Sequence, residues 1–169
     1  MLLDAVKICD EKISQCETHI GRATLIITGQ GPLDSYFQEK VNQMDLNYFT
    51  IHSEWFTYNE YARLLGSADC GISMHASSSG FDLPMKIVDM FGAHLPVLAL
   101  DFECVGELVQ EGHTGLLFEN AEGLSLLLLD VMFDRKHNIL LPKLRSYIKN
   151  KNHRSWEEEW KETVPKILE

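Results

Sequence analysis

The sequence predicts a single α/β domain built on a doubly wound parallel sheet, a Rossmann-like architecture, followed by carboxyl-terminal helices. Five short apolar runs alternate with segments of helical periodicity. The runs are nearly continuous in apolar residues, which is typical of parallel strands covered by helices on both faces. With 169 residues, the chain is long enough for one such domain with a sizeable core. We therefore expect residues 1–169 to form one domain.

The amino-terminal half predicts a leading helix and two strand–helix pairs. Apolar residues recur with a helical period from Leu2 to Cys16. The β-rich run at 23–28 ends in a turn of glycine and proline, and a helical pattern follows from Leu33 to Met44. A strand is predicted at 48–52 and a helix at 59–66. Because doubly wound folds normally open with a strand, the leading helix predicts that this chain is part of something longer.

The carboxyl-terminal half continues the alternation and then adds two helices. Trp156 and Trp160 lie four residues apart and share one face of the last helix. That face either docks on the domain, the interpretation we favour, or binds a partner. The strands predicted here are 70–74, 96–100 and 115–118, and the helices are one beginning at Asp82 and others at 105–111, 124–133, 142–150 and 155–168.

Charge and composition exclude several classes of function. The formal net charge is −10, from 25 acidic and 15 basic residues, so we expect no nucleic-acid surface and no patch for anionic lipid. The apolar runs fall short of the roughly 20 residues that a membrane helix needs, and no signal peptide is visible. The four cysteines lack CxxC spacing and the seven histidines lack HExxH spacing. We therefore expect reduced thiols, no dedicated metal site, and a soluble, cytosolic chain.

The most informative segment joins the third predicted strand to the helix that follows it. It opens with His75, passes through hydroxyl groups and Gly80, and enters the helix through Asp82 and Pro84. Pro84 suits the first turn of a helix and Asp82 is a candidate cap, so the helix is predicted to start at residues 82 to 84. The unpaired amides and the dipole of a helix start attract anions, and Gly80 lets the backbone approach one closely. We therefore predict a phosphate site at this turn.

That helix is predicted to have two different faces. Asp82, Lys86 and Asp89 share a polar stripe, and the apolar stripe on another face comprises Leu83, Ile87, Met90 and Phe91. Each feature also has an ordinary structural interpretation. The loop at 77–80 could be a polar turn, His75 a hydrogen-bonded structural residue, and the Asp82/Lys86 pair a solvated ion pair. Only their conjunction after a strand indicates a ligand crevice.

A second glycine-rich loop follows the strand at 23–28. Gly29 and Gly31 precede Pro32, and Asp34 stands where the dinucleotide fingerprint needs a third glycine. NAD and FAD binding are therefore disfavoured, and the sequence contains no P-loop motif. The loop is either a turn only or a second contact to the same ligand, and the sequence leaves both interpretations open.

Taken together, these motifs resemble the donor-binding half of the GT-B glycosyltransferases. The resemblance covers about residues 1–168. Within the superfamily, it is strongest to the β-1,4-mannosyltransferases that add the first mannose to dolichol-linked chitobiose during N-glycan assembly. It is carried by TGQGP at 28–32, LLGSAD at 64–69, His75 with SSSG at 77–80, DLPMK at 82–86, VDMFG at 88–92 and ELV at 107–109.

The resemblance implies a site for the donor GDP-mannose. Lys86 and the helix start would hold the diphosphate, and they can stabilise the GDP leaving group without a metal ion. Asp89 would contact ribose or sugar hydroxyls. The residues implied for donor binding are Gly29, Gly31, His75, Ser77, Ser78, Ser79, Gly80, Asp82, Leu83, Pro84, Met85, Lys86 and Asp89.

The resemblance also implies properties of a larger enzyme. Dolichol-linked chitobiose, the acceptor, would bind to an amino-terminal domain that this chain lacks. The enzyme would act at the cytosolic face of the endoplasmic reticulum membrane and could assemble with other glycosyltransferases. The sequence assigns no catalytic base, which an inverting transfer would draw from across the cleft.

Two departures from the superfamily leave alternatives open. Many retaining relatives carry two glutamates eight residues apart in this helix, whereas this chain has Phe81 and Asp89 at those positions, which fits an inverting mannosyltransferase better. The lack of an acceptor domain makes a truncated, non-catalytic module that binds a sugar nucleotide or a partner subunit the main alternative. Use of another nucleotide, such as UDP, is less favoured.

Overall fold

The computed structural model describes residues 1–16, 21–76, 79, 81–137, 139–151 and 156–168. Strands and helices alternate as predicted, and most bounds lie within a few residues of the expected ones. The helices are α1 (Leu2–Ser14), α2 (Asp34–Asn42), α3 (Tyr58–Ser67), α4 (Met85–Gly92), α5 (Ala121–His137), α6 (Leu140–Asn150) and α7 (Trp156–Leu168). The strands are β1 (Ala23–Thr28), β2 (Phe49–Glu54), β3 (Gly71–Ser73), β4 (Val97–Leu100) and β5 (Gly115–Phe118).

The strands pair in parallel, which confirms the predicted fold class, but their hydrogen bonds form two sheets instead of one continuous sheet. β1 pairs with β2, with Ala23 opposite Phe49. β4 pairs with β3 on one side and with β5 on the other. Within the ranges that the structure describes, no ladder joins β1 to β3. The expectation of a single uninterrupted sheet is therefore corrected to a two-stranded and a three-stranded parallel sheet.

β4 shows that helices cover both faces of the larger sheet. Leu98 packs in a core with residues of α1 and α5, whereas Val97 and Ala99 pack in a second core with residues of α3, α4 and α6. All three side chains are at most 1% exposed. Because successive strand residues point to opposite faces, this alternation requires an apolar layer on each side. β4 is thus a central strand of a doubly wound arrangement.

A buried carboxylate in α1 fixes the chain at the entrance to β2. Asp10 is 3% exposed, and its carboxylate accepts hydrogen bonds from the backbone amides of Asn47, at 3.1 Å, and Tyr48, at 2.7 Å. A buried carboxylate needs such donors to offset the loss of water. Asp10 therefore ties α1 to the position at which β2 begins, and so to the site at the other end of that strand.

The helix predicted at 105–111 is shorter in the structure. Only Val105–Glu107 are helical, as one 3-10 turn. The backbone amide of Gln110 donates to the Thr114 hydroxyl at 2.8 Å instead of continuing a helical ladder. Thr114 is completely buried, so its hydroxyl needs this partner. The side-chain hydrogen bond thus replaces the last helical turn that the apolar pattern suggested.

The last helix is less fully docked than its two tryptophans suggested. Trp160 in α7 keeps 51% of its surface exposed. The side chain of Trp156 lies outside what the structure describes. The face that we expected to pack on the domain is therefore only partly covered at Trp160.

The four cysteines are free thiols with different accessibility, which makes a prediction about labelling. Cys9 is completely buried, and burial raises the pKa of the Cys9 thiol and of the Cys70 thiol to about 12. The thiolate is the reactive form, so neither thiol should react at neutral pH. Cys16 is exposed.

We expect a disulfide reagent followed by peptide mapping to detect rapid modification of Cys16, and modification of Cys9 only after unfolding in urea. Equal rates at Cys9 and Cys16 in the native protein would contradict this core.

Candidate functional site

The candidate site lies at the carboxyl ends of β1, β2 and β3. Thr28 ends β1, Glu54 ends β2 and Ser73 ends β3, two residues before His75. Ligands of open parallel α/β folds bind outside the carboxyl ends of the strands, where connecting loops meet. Contacts between these loops and α4 define the site in this chain.

Lys86 places a positive charge between three elements at this edge. Its Nζ lies 3.5 Å from the Oγ1 of Thr28 and 5.2 Å above the centre of the Tyr61 ring. The ammonium is thus held by the end of β1 and by the ring of a residue in α3, through a hydrogen bond at the limit of length and a cation–π contact. Among the described residues Lys86 forms no ion pair, so its charge remains available to an anion.

The aromatic ring of Tyr61 lies beneath the Lys86 ammonium. Burial, and next the nearby charge of Asp89, raise the pKa of the Tyr61 phenol. Its hydroxyl oxygen is shielded from solvent and has no hydrogen-bond partner within the described part of the chain. Asp89 itself is exposed, one turn after Lys86 in α4. The predicted polar stripe of α4 therefore meets the end of β1 through Lys86, and its Asp89 lies near Tyr61 of α3.

The start of α4 differs from the prediction. The helix begins at Met85, and the residue before it, Pro84, is buried and extended, with φ −74° and ψ 110°. Proline disfavours the helical conformation for Leu83, which explains why the chain cannot enter the helix earlier. α4 has no side-chain cap, so the prediction that Asp82 caps it is wrong. The Ile87 amide of this eight-residue helix donates to the Pro84 carbonyl at 3.0 Å, and the amides of Met85 and Lys86 are left to solvent or to a ligand.

Asp82 contacts His75 instead of the helix or Lys86. Its Oδ2 lies 3.2 Å from the Nε2 of His75. The approach is not aligned as a hydrogen bond, and this nitrogen is shielded from solvent. The His75 ring also meets Phe102 edge to face, with centroids 5.9 Å apart. His75 and Asp82 therefore lie together after the end of β3, and the Asp82/Lys86 ion pair considered from the sequence is not formed.

The glycine loop after β1 uses its amides within the protein. Gly29 has a φ of +149°, which favours glycine, and its amide donates to the carbonyl of Glu54 at 3.3 Å. The amide of Gly31 donates to the carboxylate of Asp34 at 2.9 Å. Asp34, the residue that breaks the dinucleotide fingerprint, thus closes the turn. Both glycine amides are already bonded within the protein, so they are not available to a ligand. The loop therefore contributes only its shape and the open space beside it.

The remaining predicted residues divide into those the structure describes and those it does not. Ser77, Ser78 and Gly80 lie outside the described residues. The hydroxyl of Ser79 accepts a hydrogen bond from the Phe81 amide at 3.4 Å. Met85 is 72% exposed at the start of α4, whereas Pro84 is buried and Leu83 half-buried.

Two cavities adjoin the site on either side of Trp55, the residue after β2. The larger has a volume of about 560 Å³ and includes Gly29 and Gln30 in its lining. The smaller, of about 460 Å³, lies against α3. Sequence reasoning missed Thr28, Tyr61 and Trp55. The positions of Thr28 and Trp55 at strand ends were the available signal.

The described part of the chain contains neither a cluster of metal ligands nor a membrane-spanning helix. No three or more His, Cys, Asp or Glu side chains cluster as a metal site. None of the helices in that part of the chain has both the length and the apolar character needed to cross a membrane.

The chain is an α/β domain of parallel strands with a lysine and a helix start at the strand ends, an arrangement in which other α/β domains bind phosphorylated ligands. Comparison with known proteins makes this specific. The family described as "Glycosyl transferases group 1" matches residues 1–133. The chain belongs to this family.

Several relatives are named for one reaction. The chain is 41% identical over 145 residues to the chitobiosyldiphosphodolichol beta-mannosyltransferase of Mus musculus, covering 85% of this chain and 30% of that protein. It is also 41% identical over 155 residues to the protein of the same name in Dictyostelium discoideum, covering 85% and 31%. The UDP-glycosyltransferase TURAN of Arabidopsis thaliana is 36% identical over 159 residues, covering 93% and 34%. The chain thus spans about a third of the length of these relatives.

A solved structure confirms the fold independently. The pneumococcal O-GlcNAc transferase GtfA, solved in complex with UDP and GlcNAc, superposes with a TM-score of 0.66 over 99% of this chain and 32% of that one. The sequence identity is 18%, so the likeness concerns the fold alone. This neighbour is a GT-B glycosyltransferase, which agrees with the predicted fold class.

Proposed function

We propose that this chain is the donor-binding part of an inverting β-1,4-mannosyltransferase that transfers mannose from GDP-mannose to dolichol-linked chitobiose. The names of the relatives support the reaction. The observation that carries the donor role is the Lys86 ammonium, held by Thr28 and the Tyr61 ring at the strand ends, next to an uncapped helix start. An anionic diphosphate is the ligand that this arrangement favours.

In the proposed reaction the bond between the anomeric carbon of mannose and the diphosphate oxygen breaks. The acceptor hydroxyl oxygen forms the new bond from the opposite face and gives its proton to a base. Negative charge grows on the departing GDP, and Lys86 with the first amides of α4 would stabilise that charge. Positive groups that are already in position lower the activation barrier of the transfer, because they need not reorganise as the charge develops. The proposal requires no metal ion.

The remaining predicted donor residues have subsidiary roles in this proposal. Asp89, next to Tyr61, would accept hydrogen bonds from ribose or mannose hydroxyls. His75 and Asp82 would form the wall facing the sugar. The reaction would take place at the cytosolic face of the endoplasmic reticulum membrane, where other glycosyltransferases of the same assembly could be partners.

The test is the nucleotide selectivity of the chain, measured by isothermal titration calorimetry. We expect GDP and GDP-mannose to bind, and UDP and ADP to bind more weakly. UDP is the informative competitor because one relative is named as a UDP-glycosyltransferase. Preference for UDP would overturn the GDP-mannose assignment. If no nucleotide binds to the folded chain, the donor-binding role is wrong and a non-catalytic module is the better account.

A further inference from the structure

β5 is the outermost strand of the three-stranded sheet. β4 pairs with it on one side, and no further strand of the described residues pairs with it on the other. Its sequence, GLLF, is uncharged and contains no proline. A strand of this kind can pair with a strand of another chain if the backbone groups on its outer edge are free. We use the term outer edge for the side of β5 that faces away from β4.

Alternate residues of β5 present their backbone groups to the outer edge. The Thr114 carbonyl accepts a hydrogen bond from the Val97 amide at 3.4 Å, and the Phe118 carbonyl accepts one of 2.8 Å from the residue that follows β4. Successive residues of a strand direct their N–H and C=O groups to opposite sides. Gly115 and Leu117 therefore direct theirs away from β4, and another strand would pair at these two residues.

The turn before β5 already occupies one backbone group at each of these two residues. The Gly115 carbonyl accepts a hydrogen bond from the Gly112 amide at 2.9 Å, and the Leu117 amide donates to Oε2 of Glu111 at 2.6 Å. Gly112 has a φ of +72°, which favours glycine, and Glu111 forms a parallel bridge with Gly115. A carboxylate accepts a stronger hydrogen bond than the neutral carbonyl that a competing strand would offer.

α6 holds this turn in place through Tyr147. The Tyr147 hydroxyl donates to Oε1 of Gln110 at 3.2 Å, and the Tyr147 ring meets the His113 ring edge to face, with centroids 4.8 Å apart. These two contacts fall on either side of Glu111 in the sequence. The Gln110 amide also donates to the Thr114 hydroxyl at 2.8 Å. The Glu111 carboxylate is therefore presented to β5 from a backbone that is held on both sides.

We propose that the Glu111 carboxylate closes the outer edge of β5 to strand addition, and that the partner it excludes is a second copy of this chain. Without the carboxylate, the Leu117 amide is free to pair with a strand of another molecule. Two copies related by a two-fold axis would then pair β5 with β5 around Leu117, because the same edge meets itself. The inference is independent of the proposed function, since it involves neither Lys86 nor a nucleotide.

Sedimentation velocity of Glu111→Ala over a series of rising concentrations tests the proposal. We expect the variant to form a species of twice the 19.3 kDa mass of the chain, which the wild type does not form at the same concentrations. Glu111→Gln should sediment as the wild type does, because the glutamine carbonyl can still accept the Leu117 amide. Glu119→Ala is the matched control, since it removes the same charge from an exposed residue directly after β5.

Hydrogen exchange at the Leu117 amide shows whether the association occurs at this edge. In dilute Glu111→Ala this amide should exchange about tenfold faster than in the wild type, or more, because its charged acceptor is gone. Its protection should return as the concentration rises. Tyr147→Phe, which removes only the hydroxyl contact to Gln110, is the milder second variant. It should also speed exchange at Leu117, and it keeps the test available if Glu111→Ala does not fold.

Four results would overturn the proposal. The first is a folded Glu111→Ala that sediments as the wild type does at every concentration. The second is equal association of Glu119→Ala or Glu111→Gln, because the charge alone would then explain the effect. The third is association of Glu111→Ala without protection of the Leu117 amide, because another surface would then be responsible. The fourth applies if Glu111→Ala does not fold, and is unchanged exchange at Leu117 in Tyr147→Phe.

Discussion

Replacing Lys86 with alanine should weaken the binding of GDP by roughly tenfold to a hundredfold, since hydrogen bonds to charged groups contribute about 1.5–3 kcal/mol. Lys86 is a cation that the end of β1 and the Tyr61 ring hold at the strand ends, and it forms no ion pair within the described residues. Its removal leaves the helix amides as the remaining attraction for the diphosphate. Calorimetric titration of the variant and the wild type with GDP measures the effect.

The chain offers a close control for this substitution. Lys40 in α2 also lies over an aromatic ring, with its Nζ 5.6 Å from the centre of Tyr36. It is therefore a cation–π lysine away from Thr28 and α4. Lys40→Ala should leave GDP binding within about twofold of wild type, well under the tenfold that 1.4 kcal/mol represents. The loss in Lys86→Ala should also shrink at high salt, because salt screens exposed charges. Equal losses of GDP affinity in Lys40→Ala and Lys86→Ala would mean that only the net charge of the chain affects binding. The position of Lys86 would then have no effect.

Replacing Gly115 with alanine should reduce the free energy of unfolding by about 2–3 kcal/mol or more, at the upper end of the cost of overpacking. Gly115 pairs with Val97 across β4 and β5, and a Cβ atom at this position would collide with the Val97 carbonyl oxygen and meet the Cγ1 of Val109 at 3.0 Å. The carbonyl belongs to backbone of a central strand and cannot rotate away. Relief would require β5 to move off β4. Urea unfolding followed by circular dichroism measures the change.

Alanine substitutions at two other glycines serve as controls for Gly115→Ala. At Gly71 the atoms in the way belong to the thioether end of Met90, a flexible side chain, so Gly71→Ala should cost less. At Gly66, in the last turn of α3, a Cβ atom would meet nothing within 4 Å, and alanine is the better helix former. The expected order of destabilisation is Gly115, Gly71, Gly66. A Gly115→Ala variant as stable as Gly66→Ala would show that β4 and β5 are not packed as described.

The fold was largely predictable because its signals are local. Apolar runs gave the strands, and periodicity gave the helices on either side of them. The errors arose where one side chain overrode the pattern. The Thr114 hydroxyl captures the Gln110 amide and shortens the predicted helix at 105–111, and Pro84 delays α4 to Met85. The division into two sheets depends on which strands pair, and strand pairing is not encoded in the pattern of any single strand.

The candidate site was predictable only in part because its contacts are long-range. Lys86 stood out through its place on the polar stripe of a helix after a strand. Its partners Thr28 and Tyr61 lie 58 and 25 residues earlier in the sequence, and only the packing of α3 and α4 at the strand ends brings them together. Asp82 was misassigned as a cap because its spacing from Pro84 is ordinary for one. Its contact with His75, seven residues earlier, is not indicated by that local spacing.

A nucleoside diphosphate is proposed to bind at the carboxyl ends of the strands, with its phosphates at Lys86. The most direct test is the set of backbone amide chemical shifts of the ¹⁵N-labelled chain during titration with GDP. We predict saturable shifts at Gly29, Trp55, Met85 and Lys86, and none in the parts of α5 and α6 remote from the site. Saturable shifts confined to α5 and α6, or no shifts at all in a folded chain, would contradict the account.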